Sequence, residues 1–338
     1  MSEVRSYRLR VAEVVPETAD ACSLVFDSPG LDYKPGQFLT LRIPSDRCGS
    51  VARCYSLSSS PHVDSSLKVT VKRTADGYGS NWICDSVSAG DELESLAPAG
   101  IFTPSSLDSK LLLFAAGSGI TPVMSIVKSV LAAGSGRVVL VYANRDEQSV
   151  IFATELAALM AEHPTRLTVI HWLESVQGLP SAPTLSALAR PYAAYEAFIC
   201  GPAPFMAAVR TALSDLGVPR ERVHIERFKS LGANPFEQAV VAESASARVA
   251  SVKVTLDGAE HRFDWPADTK LLDLLLARGL DAPYSCREGA CSACACRLVA
   301  GEVKMLNNDV LDDEDLDDGI RLACQSLPVT DDVEISYE

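Results

Sequence analysis

The stretch "CREGACSACAC", residues 286–296, places four cysteines within eleven residues. Three of them follow a C-x4-C-x2-C spacing, and a further cysteine lies well beyond it: Cys286, Cys291, Cys294 and Cys324. The remaining thiol of the stretch is Cys296. Such a group of thiols can form disulfides, bind a structural zinc ion or bind an iron–sulfur cluster. The composition of the loop and of the whole chain distinguishes between these uses.

The cysteine spacing is that of plant-type [2Fe-2S] ferredoxins, with three cysteines in a loop and a distant fourth. Structural zinc sites more often combine two C-x2-C pairs or cysteine with histidine, and the loop contains no histidine. The residues between the cysteines are small, which lets the backbone wrap a cluster and direct N–H groups at its sulfurs: Gly289, Ala290, Ser292 and Ala293. We therefore predict that the four spaced cysteines bind a [2Fe-2S] cluster. Cys296 is interpreted as a packed free thiol rather than a substitute ligand. The alternative is a non-redox binding module in which the four spaced cysteines bind zinc.

The composition is that of a globular protein with more than one domain. The chain has 338 residues, of which 47% are hydrophobic and 22% charged. No apolar run approaches the roughly 20 residues that span a bilayer, and the first residues lack the apolar core of a signal peptide. We therefore expect a cytoplasmic protein, in which thiols stay reduced and disulfides are disfavoured.

Successive segments of the chain have different patterns. Residues 1–104 contain short strands separated by Pro-Gly, Ser-Pro and Asp-Gly turns, which predicts an antiparallel β-barrel. Residues 105–228 alternate strand and helix patterns, which predicts a parallel sheet covered by helices. Residues 229–249 have weak periodicity and many small residues, and are interpreted as a linker. Residues 250–338 combine a hairpin, a helix, the cysteine loop and a last strand.

The barrel segment contains motifs typical of a nucleotide site. "RCYS" (53–56) ends a predicted strand, and "VKR" (71–73) and "GYGSN" (77–81) follow it. A Gly-rich turn into a helix presents N–H groups to a pyrophosphate. Arg53 can bind the same phosphates, and the Tyr55 ring can lie flat against a flavin. Although "RCYS" alone fits an ordinary strand, the three motifs together predict a flavin nucleotide site.

The second segment has glycine-rich strand ends. "GSGITP" (117–122) follows its first strand, and "CGP" (200–202) ends a later one. Ligands of open α/β sheets bind at these ends. Thr121 as N-cap and Pro122 as first helical residue would begin a helix able to receive a phosphate or a nicotinamide. Cys200 would face the nicotinamide there, or be an ordinary buried cysteine.

These motifs occur in the order found in a known superfamily. Together with "PGQF" (35–38) and "YANRD" (142–146), they resemble flavoproteins of the ferredoxin–NADP reductase superfamily with a plant-type ferredoxin fused at the carboxyl end. The resemblance covers nearly the whole chain. It implies an FAD-binding β-barrel at 1–104, an NAD(P)-binding α/β domain at 105–228 and, after the linker, an α+β β-grasp ferredoxin domain at 250–338.

The resemblance also implies roles for individual residues. Arg53 would bind the FAD diphosphate, Tyr55 would stack on the isoalloxazine, and Ser56 would hydrogen-bond near its N5. A further set would lie beside the diphosphate: Val71, Lys72, Gly79, Ser80 and Asn81. Another set would border the nicotinamide pocket: Gly117, Gly119, Thr121, Cys200, Gly201 and Pro202. Glu226 and Phe228 would close over the flavin. Four residues would lie nearest to the reacting atoms: Ser56, Thr121, Cys200 and Glu226.

The implied activity is electron transfer from NADH through FAD and the [2Fe-2S] cluster to a separate terminal oxygenase. A nicotinamide gives up two electrons as one hydride, the cluster accepts one electron at a time, and FAD works in both regimes. The resemblance extends to reductase components of Rieske-type oxygenases that hydroxylate 3-ketosteroids. Reductases of phenylacetyl-CoA epoxidase or of other aromatic-compound oxygenases are the alternative, and direct reduction of a small acceptor is another.

The sequence says less about the nucleotide preference and about the partners of the chain. Asp146 and Glu147 suit a free ribose hydroxyl, whereas Arg145 suits a 2′-phosphate, so these residues leave the choice of nucleotide open. The resemblance implies NADH rather than NADPH. The net charge is −14, and "DVLDDEDLDDG" (309–319) carries seven acidic residues. This charge disfavours nucleic-acid binding. We expect a monomer that binds no membrane, in which residues 309–318 form a solvated face, dock a basic partner or dock on the chain's own flavin domain.

Overall fold

The computed structural model describes residues 6–27, 30–46, 48–232, 234–236 and 248–338. The first six strands form an antiparallel sheet in the order β4-β3-β6-β1-β2-β5. They are β1 (Ser6–Thr18), β2 (Ala21–Phe26), β3 (Phe38–Ser45), β4 (Gly49–Ser56), β5 (Leu67–Lys72) and β6 (Glu92–Leu96), with helix α1 (Tyr78–Ser86) between the last two. A bridge from Leu57 to Val69 joins the two sheet edges. The predicted antiparallel barrel is therefore confirmed.

Successive side chains of strand β3 point alternately into the barrel and away from it. Leu39, Leu41 and Ile43 point into the barrel and are fully buried, as expected for every second residue of a strand. Thr40 lies between them on the opposite face and is buried as well. Its burial shows that another part of the chain covers the outside of the barrel here.

The second unit is a five-stranded parallel sheet in the order β11-β10-β7-β8-β9. Its strands are β7 (Lys110–Ala116), β8 (Arg137–Asn144), β9 (Leu167–Leu173), β10 (Glu196–Cys200) and β11 (Val223–Glu226). Its helices are α2 (Ile120–Ala133), α3 (Ala153–Glu162), α4 (Glu174–Gln177), α5 (Ala182–Ala189) and α6 (Ala203–Asp215). Helices α2 and α3 pack on one face of the sheet and α5 and α6 on the other. The predicted helix-covered parallel sheet is confirmed.

The predicted start of helix α2 was wrong. The helix begins at Ile120 with Gly119 as N-cap, and Thr121 is its second residue, with Oγ1 donating to the Ser118 carbonyl at 3.0 Å. A 3-10 turn at Gly117–Gly119 runs directly into the helix, and Gly117 has a φ of +52° that favours glycine. Pro122 is tolerated because first-turn N–H groups need no intrahelical partner.

The third unit is a mixed sheet in the order β13-β12-β18-β14-β16, beside a two-stranded β15-β17 sheet. Its strands are β12 (Val249–Leu256), β13 (Ala259–Pro266), β14 (Ala295–Ala300), β15 (Val303–Met305), β16 (Ile320–Leu322), β17 (Ser326–Pro328) and β18 (Asp332–Ser336), and its helices are α7 (Leu271–Ala277) and α8 (Asp313–Asp317). Helix α7 packs against the core of this unit, which also holds the fully buried Trp265. This is the predicted β-grasp arrangement.

Much of the predicted linker, 229–249, lies outside the described residues, because 233 and 237–247 are not described. Of the described part, Leu231 and Phe236 are buried in a cluster that also holds Ala52 of the barrel and Cys286. These linker residues therefore help to join the first and third units. Among the described helices, none has the length and apolar composition needed to cross a membrane.

Candidate functional site

The four spaced cysteines lie together at the end of the third unit. The Cys291 and Cys286 sulfurs are 3.2 Å apart, and the Cys324 thiol contacts those of Cys286 and Cys294. Within the described residues, no three His, Cys, Asp or Glu side chains converge as ligands of a single ion would. The four sulfurs instead contact one another in the order Cys291, Cys286, Cys324 and Cys294. One group of four thiols matches the four cysteine ligands of a [2Fe-2S] cluster.

The backbone around these thiols suits a negatively charged sulfur core. The Cys291 thiol, the Cys324 thiol and the backbone N–H groups of Glu288 and Ala290 all lower the pKa of Cys286, and the thiolate is the form that binds metal. Gly289 has a φ of +83°, and a Cβ there would lie 2.8 Å from the Asn307 carbonyl oxygen. The loop can therefore follow this tight path only with glycine at that position.

Cys296 is separate from this group in its contacts. It is 3% exposed in the core of the third unit, and its Sγ donates to the Arg321 carbonyl at 3.5 Å. Burial raises the pKa of Cys296, which keeps the thiol protonated. These contacts support its interpretation as a packed free thiol.

The predicted flavin residues meet at the junction of β4 and α1. A Cβ on Gly79 would lie 2.9 Å from Arg53 Cγ and 3.4 Å from the Tyr55 hydroxyl, so glycine allows the helix start to approach both side chains. Arg53 is half-buried and donates to the carbonyls of Ala52 and Leu231. Tyr55 is largely buried, and burial raises its pKa. The arrangement places a cation, an aromatic ring and a helix N-terminus together, which are the groups that hold a flavin nucleotide.

The other residues predicted beside the diphosphate divide between different environments. Ser80 Oγ accepts from the Thr74 N–H, and Asn81 Nδ2 donates to the Thr74 carbonyl, so both order the turn before α1. Val71 is fully buried in the barrel core, so its side chain does not face a diphosphate. Lys72 instead borders a cavity on the second unit.

That cavity brings together half of the predicted nicotinamide residues. It has a volume of about 510 Å³, and its lining includes Lys72, Gly117, Gly201, Pro202 and Phe228. It lies at the carboxyl ends of β7 and β10, where open α/β sheets bind ligands.

Three further predicted residues lie behind this cavity. A Cβ on Gly119 would lie 2.1 Å from the Cys200 carbonyl oxygen, so the start of α2 packs directly on the end of β10. Cys200 and Thr121 are buried, and neither side chain is part of the cavity lining.

A second, small cavity lies beside the first. It is lined by Cys54, Ser56, Glu226, Phe228 and Cys291, among others. Phe228 therefore borders both the cavity with the nicotinamide residues and the cavity with Ser56 and a predicted cluster ligand. Burial raises the pKa of Glu226 to about 8, which keeps this carboxyl largely protonated at neutral pH.

A buried hydrogen bond joins the cysteine loop to the outside of the barrel. Thr40 Oγ1 and Ser285 Oγ are 2.6 Å apart, and Cys54 Sγ lies 3.6 Å from each of them. Ser285 precedes Cys286, so the contact fixes the start of the loop on the barrel. The sequence gives no sign of this contact, since Thr40 and Ser285 are 245 residues apart and hydroxyl residues are common in strands and loops.

The acidic segment 309–318 contacts the second unit. Asp312 pairs with Arg210 and Arg220 at 3.4 Å each, and Arg220 also pairs with Glu314 at 2.9 Å and Asp315 at 3.3 Å. Part of the segment is therefore not a solvated face. The prediction that this segment docks on another part of the same chain is confirmed. The surface that it contacts belongs to the α/β unit and not to the flavin barrel.

Comparison with known families assigns all three units. Residues 8–103 match the oxidoreductase FAD-binding domain model. Residues 113–211 match the oxidoreductase NAD-binding domain model, and residues 254–329 match the 2Fe-2S iron-sulfur cluster binding domain model. The order of these domains is the one that the motifs imply.

Known proteins resemble the chain over nearly its full length. It is 59% identical over 341 residues to the ferredoxin reductase component of 3-ketosteroid-9-alpha-monooxygenase from Rhodococcus rhodochrous, covering 98% of this chain and 97% of that protein. It is 33% identical over 355 residues to one component of the 1,2-phenylacetyl-CoA epoxidase from Escherichia coli K12, covering 98% of each. The structure of phthalate dioxygenase reductase aligns with a TM-score of 0.60 and 25% identity, covering 98% of each chain.

The domain models, the relatives and the fold agree with the resemblance drawn from the motifs. The chain therefore belongs to the family of ferredoxin reductase components of oxygenases, flavoproteins of the ferredoxin–NADP reductase superfamily that carry an FAD-binding, an NAD-binding and a [2Fe-2S]-binding domain on one polypeptide.

Proposed function

We propose that the chain is the reductase component of a 3-ketosteroid 9α-monooxygenase and passes electrons from NADH through FAD and the [2Fe-2S] cluster to a separate, Rieske-type terminal oxygenase. One structural observation carries this order of transfer. The segment 227–229 borders both the cavity with Gly117 and Gly201 and the cavity with Ser56 and Cys291. The proposed sites for the nicotinamide, the flavin and the cluster are therefore adjacent in one molecule.

The chain's own residues hold and orient the cofactors. Arg53 and the N-terminus of α1 supply positive charge for the diphosphate, and Tyr55 provides a flat face. When bound, FAD converts one two-electron hydride into two one-electron transfers. Phe228 is 49% exposed between the two cavities. We assign it the task of covering the flavin until the nicotinamide takes its place.

Four residues are proposed nearest to the chemistry: Ser56, Thr121, Cys200 and Glu226. Ser56 and Glu226 line the small cavity beside Cys291, where a hydroxyl and a protonated carboxyl can exchange a proton with a bound flavin. Cys200 supports the glycine-lined floor of the neighbouring cavity through the tight contact of its carbonyl with Gly119, and Thr121 supports it through its hydrogen bond to the Ser118 carbonyl. Cys286, Cys291, Cys294 and Cys324 are the proposed cluster ligands.

The steroid pathway is favoured over phenylacetyl-CoA by the difference in similarity. Identity to the reductase components named for 3-ketosteroid 9α-monooxygenase is 58–59% in relatives from three genera, against 33% for the epoxidase component. The substrate pocket itself belongs to the partner. We propose a cytoplasmic, monomeric reductase as the form that serves this partner.

The test is reconstitution with purified oxygenase components. The holoenzyme is mixed with NADH and with either a 3-ketosteroid 9α-monooxygenase oxygenase or a phenylacetyl-CoA epoxidase oxygenase, and hydroxylated or epoxidised product is measured. We expect product with the steroid oxygenase and little with the other. Product only with the epoxidase would reject the steroid assignment. The absence of any NADH-dependent bleaching of the flavin and cluster absorption would reject the electron-transfer order itself.

A further inference from the structure

The loop after strand β8 contains a single basic residue, and its pairing bears on which nicotinamide nucleotide the chain accepts. In α/β nucleotide-binding folds, an acidic residue near such a strand end binds a free ribose hydroxyl, whereas an arginine there accommodates a 2′-phosphate. Between 144 and 151 the chain offers Asp146 and Glu147 for the first task and Arg145 for the second. Residue types alone therefore leave the preference open.

Arg145 is paired with a carboxylate from the flavin barrel. Its Nη2 donates to Asp20 Oδ2 at 2.9 Å, and the same oxygen lies 3.7 Å from Lys72 Nζ. Lys72 in turn lines the cavity that holds Gly117, Gly201 and Pro202. Asp20 thus pairs with Lys72, a lining residue of that cavity, and with Arg145, the one arginine of the β8 loop in the second domain.

The position of Asp20 is fixed by its own turn. Thr18 Oγ1 donates to Asp20 Oδ1 at 2.8 Å, and the Asp20 carbonyl accepts from the Arg73 N–H at 2.8 Å. The Asp20 side chain is 27% exposed, whereas the Arg145 side chain is 63% exposed. The hydrogen bond from Thr18 and the charges of Lys72 and Arg145 outweigh burial and lower the pKa of Asp20, so it stays ionised at neutral pH.

Asp146 is committed to a local structure. Its Oδ1 accepts from the Ser149 N–H at 2.9 Å, and its own N–H donates to Ser149 Oγ at 3.1 Å. This capping box fixes the 3-10 turn at Glu147–Ser149. The acid that contacts Arg145 directly is therefore the barrel residue Asp20 and not its sequence neighbour.

Resting on the proposed function, we propose that Asp20 is a specificity-determining residue that makes the reductase select NADH over NADPH. It acts in two ways. It occupies the Arg145 guanidinium, which would otherwise meet a 2′-phosphate, and it places a negative charge 2.9 Å from that guanidinium, where it would repel the phosphate. A ribose with a free 2′-hydroxyl carries no charge there and is not affected by either contribution.

The test compares Asp20→Asn with the unaltered holoenzyme. Asparagine keeps the size of the side chain and its hydrogen bond from Thr18 but removes the charge. We expect NADP⁺ to bind roughly three- to tenfold more tightly to the oxidised holoenzyme, measured by calorimetry, because one partly screened negative charge near the phosphate is removed. The ratio of kcat/KM for NADPH to that for NADH should rise by a similar factor, and NAD⁺ binding should stay the same.

A second variant identifies the route of the effect. If Asp20 acts partly through Arg145, the gain for NADP⁺ should be smaller in the double variant Asp20→Asn/Arg145→Ala than in Asp20→Asn alone. Asp27→Asn is the matched control, since Asp27 pairs only loosely with Arg10 at 3.7 Å on the same barrel, and it should leave both nucleotides unaffected. Because Asp20 also lies near Lys72, the FAD content of each variant is measured first.

Two results would overturn the proposal. One is an unchanged ratio of NADP⁺ to NAD⁺ affinity in Asp20→Asn, and the other is an equal change for both nucleotides, which would make Asp20 a general structural residue. Either result leaves NADH-dependent bleaching of flavin and cluster intact. Failure of this proposal is therefore distinct from failure of the proposed electron-transfer function, which would abolish that bleaching in the unaltered protein.

Discussion

The cysteine loop (residues 285–294) and the acidic segment (residues 309–318) attach the same [2Fe-2S] domain to the rest of the chain through opposite kinds of interaction. The loop packs small and apolar side chains, among them Ala290 and Ala293, on the outside of the FAD barrel. Its hydrogen bond to the barrel between Thr40 and Ser285 is buried. The acidic segment uses partly exposed ion pairs with the arginine cluster of the NAD domain: Arg210, Arg220 and Arg227.

The difference reflects what each contact has to do. Electron transfer requires a fixed, short separation between the flavin and the cluster, and close packing without mobile charges holds such a separation. Exposed ion pairs are individually weak and are screened by salt. We infer that the loop contact sets the electron-transfer distance. We propose that the acidic contact orients the domain and can yield to a basic partner.

The largest effect is expected at Cys291, a proposed cluster ligand within the loop contact. Cys291→Ser should remove the cluster, and electron transfer to a one-electron acceptor should fall by more than about 100-fold, since altering even an outer partner of a metal ligand costs roughly 10- to 100-fold. Reduction of the flavin by NADH should persist. Visible absorption and acid-labile sulfide report the cluster, and stopped-flow absorption reports the flavin.

The spare thiol of the loop provides the control. Cys296→Ser should keep the cluster, because Cys296 donates to the Arg321 carbonyl inside the domain core. Equal loss of sulfide in both variants would show that Cys296 takes part in binding the cluster and that the ligand assignment is wrong.

Glu226 lies between the two contacts, since it lines both the small cavity at Cys291 and a larger one that reaches Asp315. Its folded pKa of about 8 lies above the ordinary value of 4.5, so the folded state keeps a proton that the unfolded chain loses. The resulting stabilisation is complete below about pH 4.5 and declines up to about pH 8, by as much as about 1.4 kcal/mol per pH unit.

Glu226→Gln stays neutral at every pH and should remove that decline. Urea denaturation of the holoenzyme at several pH values measures it, and the variant should lose less free energy of unfolding than the unaltered protein between about pH 5 and 8. Glu221→Gln, at an exposed position in the same region, should not differ from the unaltered protein. Parallel pH profiles for all three proteins would contradict the buried, protonated state of Glu226.

The hydroxyl contact tests whether the loop needs its position on the barrel. Ser285→Ala leaves the buried Thr40 hydroxyl with only the weak Cys54 thiol as a partner, which should cost about 1–3 kcal/mol of unfolding free energy. The double variant Thr40→Val/Ser285→Ala removes both groups and should recover part of that loss. If the contact also sets the electron-transfer distance, both variants should reduce their clusters more slowly than the unaltered protein at every salt concentration. Additive losses would show that the two hydroxyls do not act as a pair.

Much of this architecture was predictable from local sequence. The cysteine spacing, "RCYS", "GYGSN" and the strand ends "GSGITP" and "CGP" gave the order and type of the three domains, because each motif depends on short-range geometry. The start of α2 was misplaced at Thr121 for a related reason. Gly117 adopts a positive φ and feeds a 3-10 turn into the helix, and a capping pattern in the sequence does not report such a backbone choice.

The contacts between domains were not predictable, because they join residues that are unrelated in sequence. Arg210, Arg220 and Arg227 are spread over α6, a turn and the segment after β11, and only the fold brings them to Asp312. The same holds for Asp20 and Arg145, which are 125 residues apart. The acidic segment was visible as a charge run, but its partner surface was not. A charge run in the sequence therefore predicts that the segment docks on a basic surface. Only the structure shows which surface that is.

The smallest effect is expected at the acidic contact. Asp312→Asn keeps a good N-cap for α8 but removes the charge shared by Arg210 and Arg220, and Asp313→Asn is the control because the exposed Asp313 forms no ion pair within the described chain. At low salt, cluster reduction in Asp312→Asn should slow by roughly two- to fivefold, the effect of one or two partly exposed pairs. At high salt the difference should vanish, because screening weakens these pairs in both proteins. A salt-independent loss of the same size would mean that Asp312 acts by packing, and the contrast between a fixed loop contact and an adjustable acidic contact would fail.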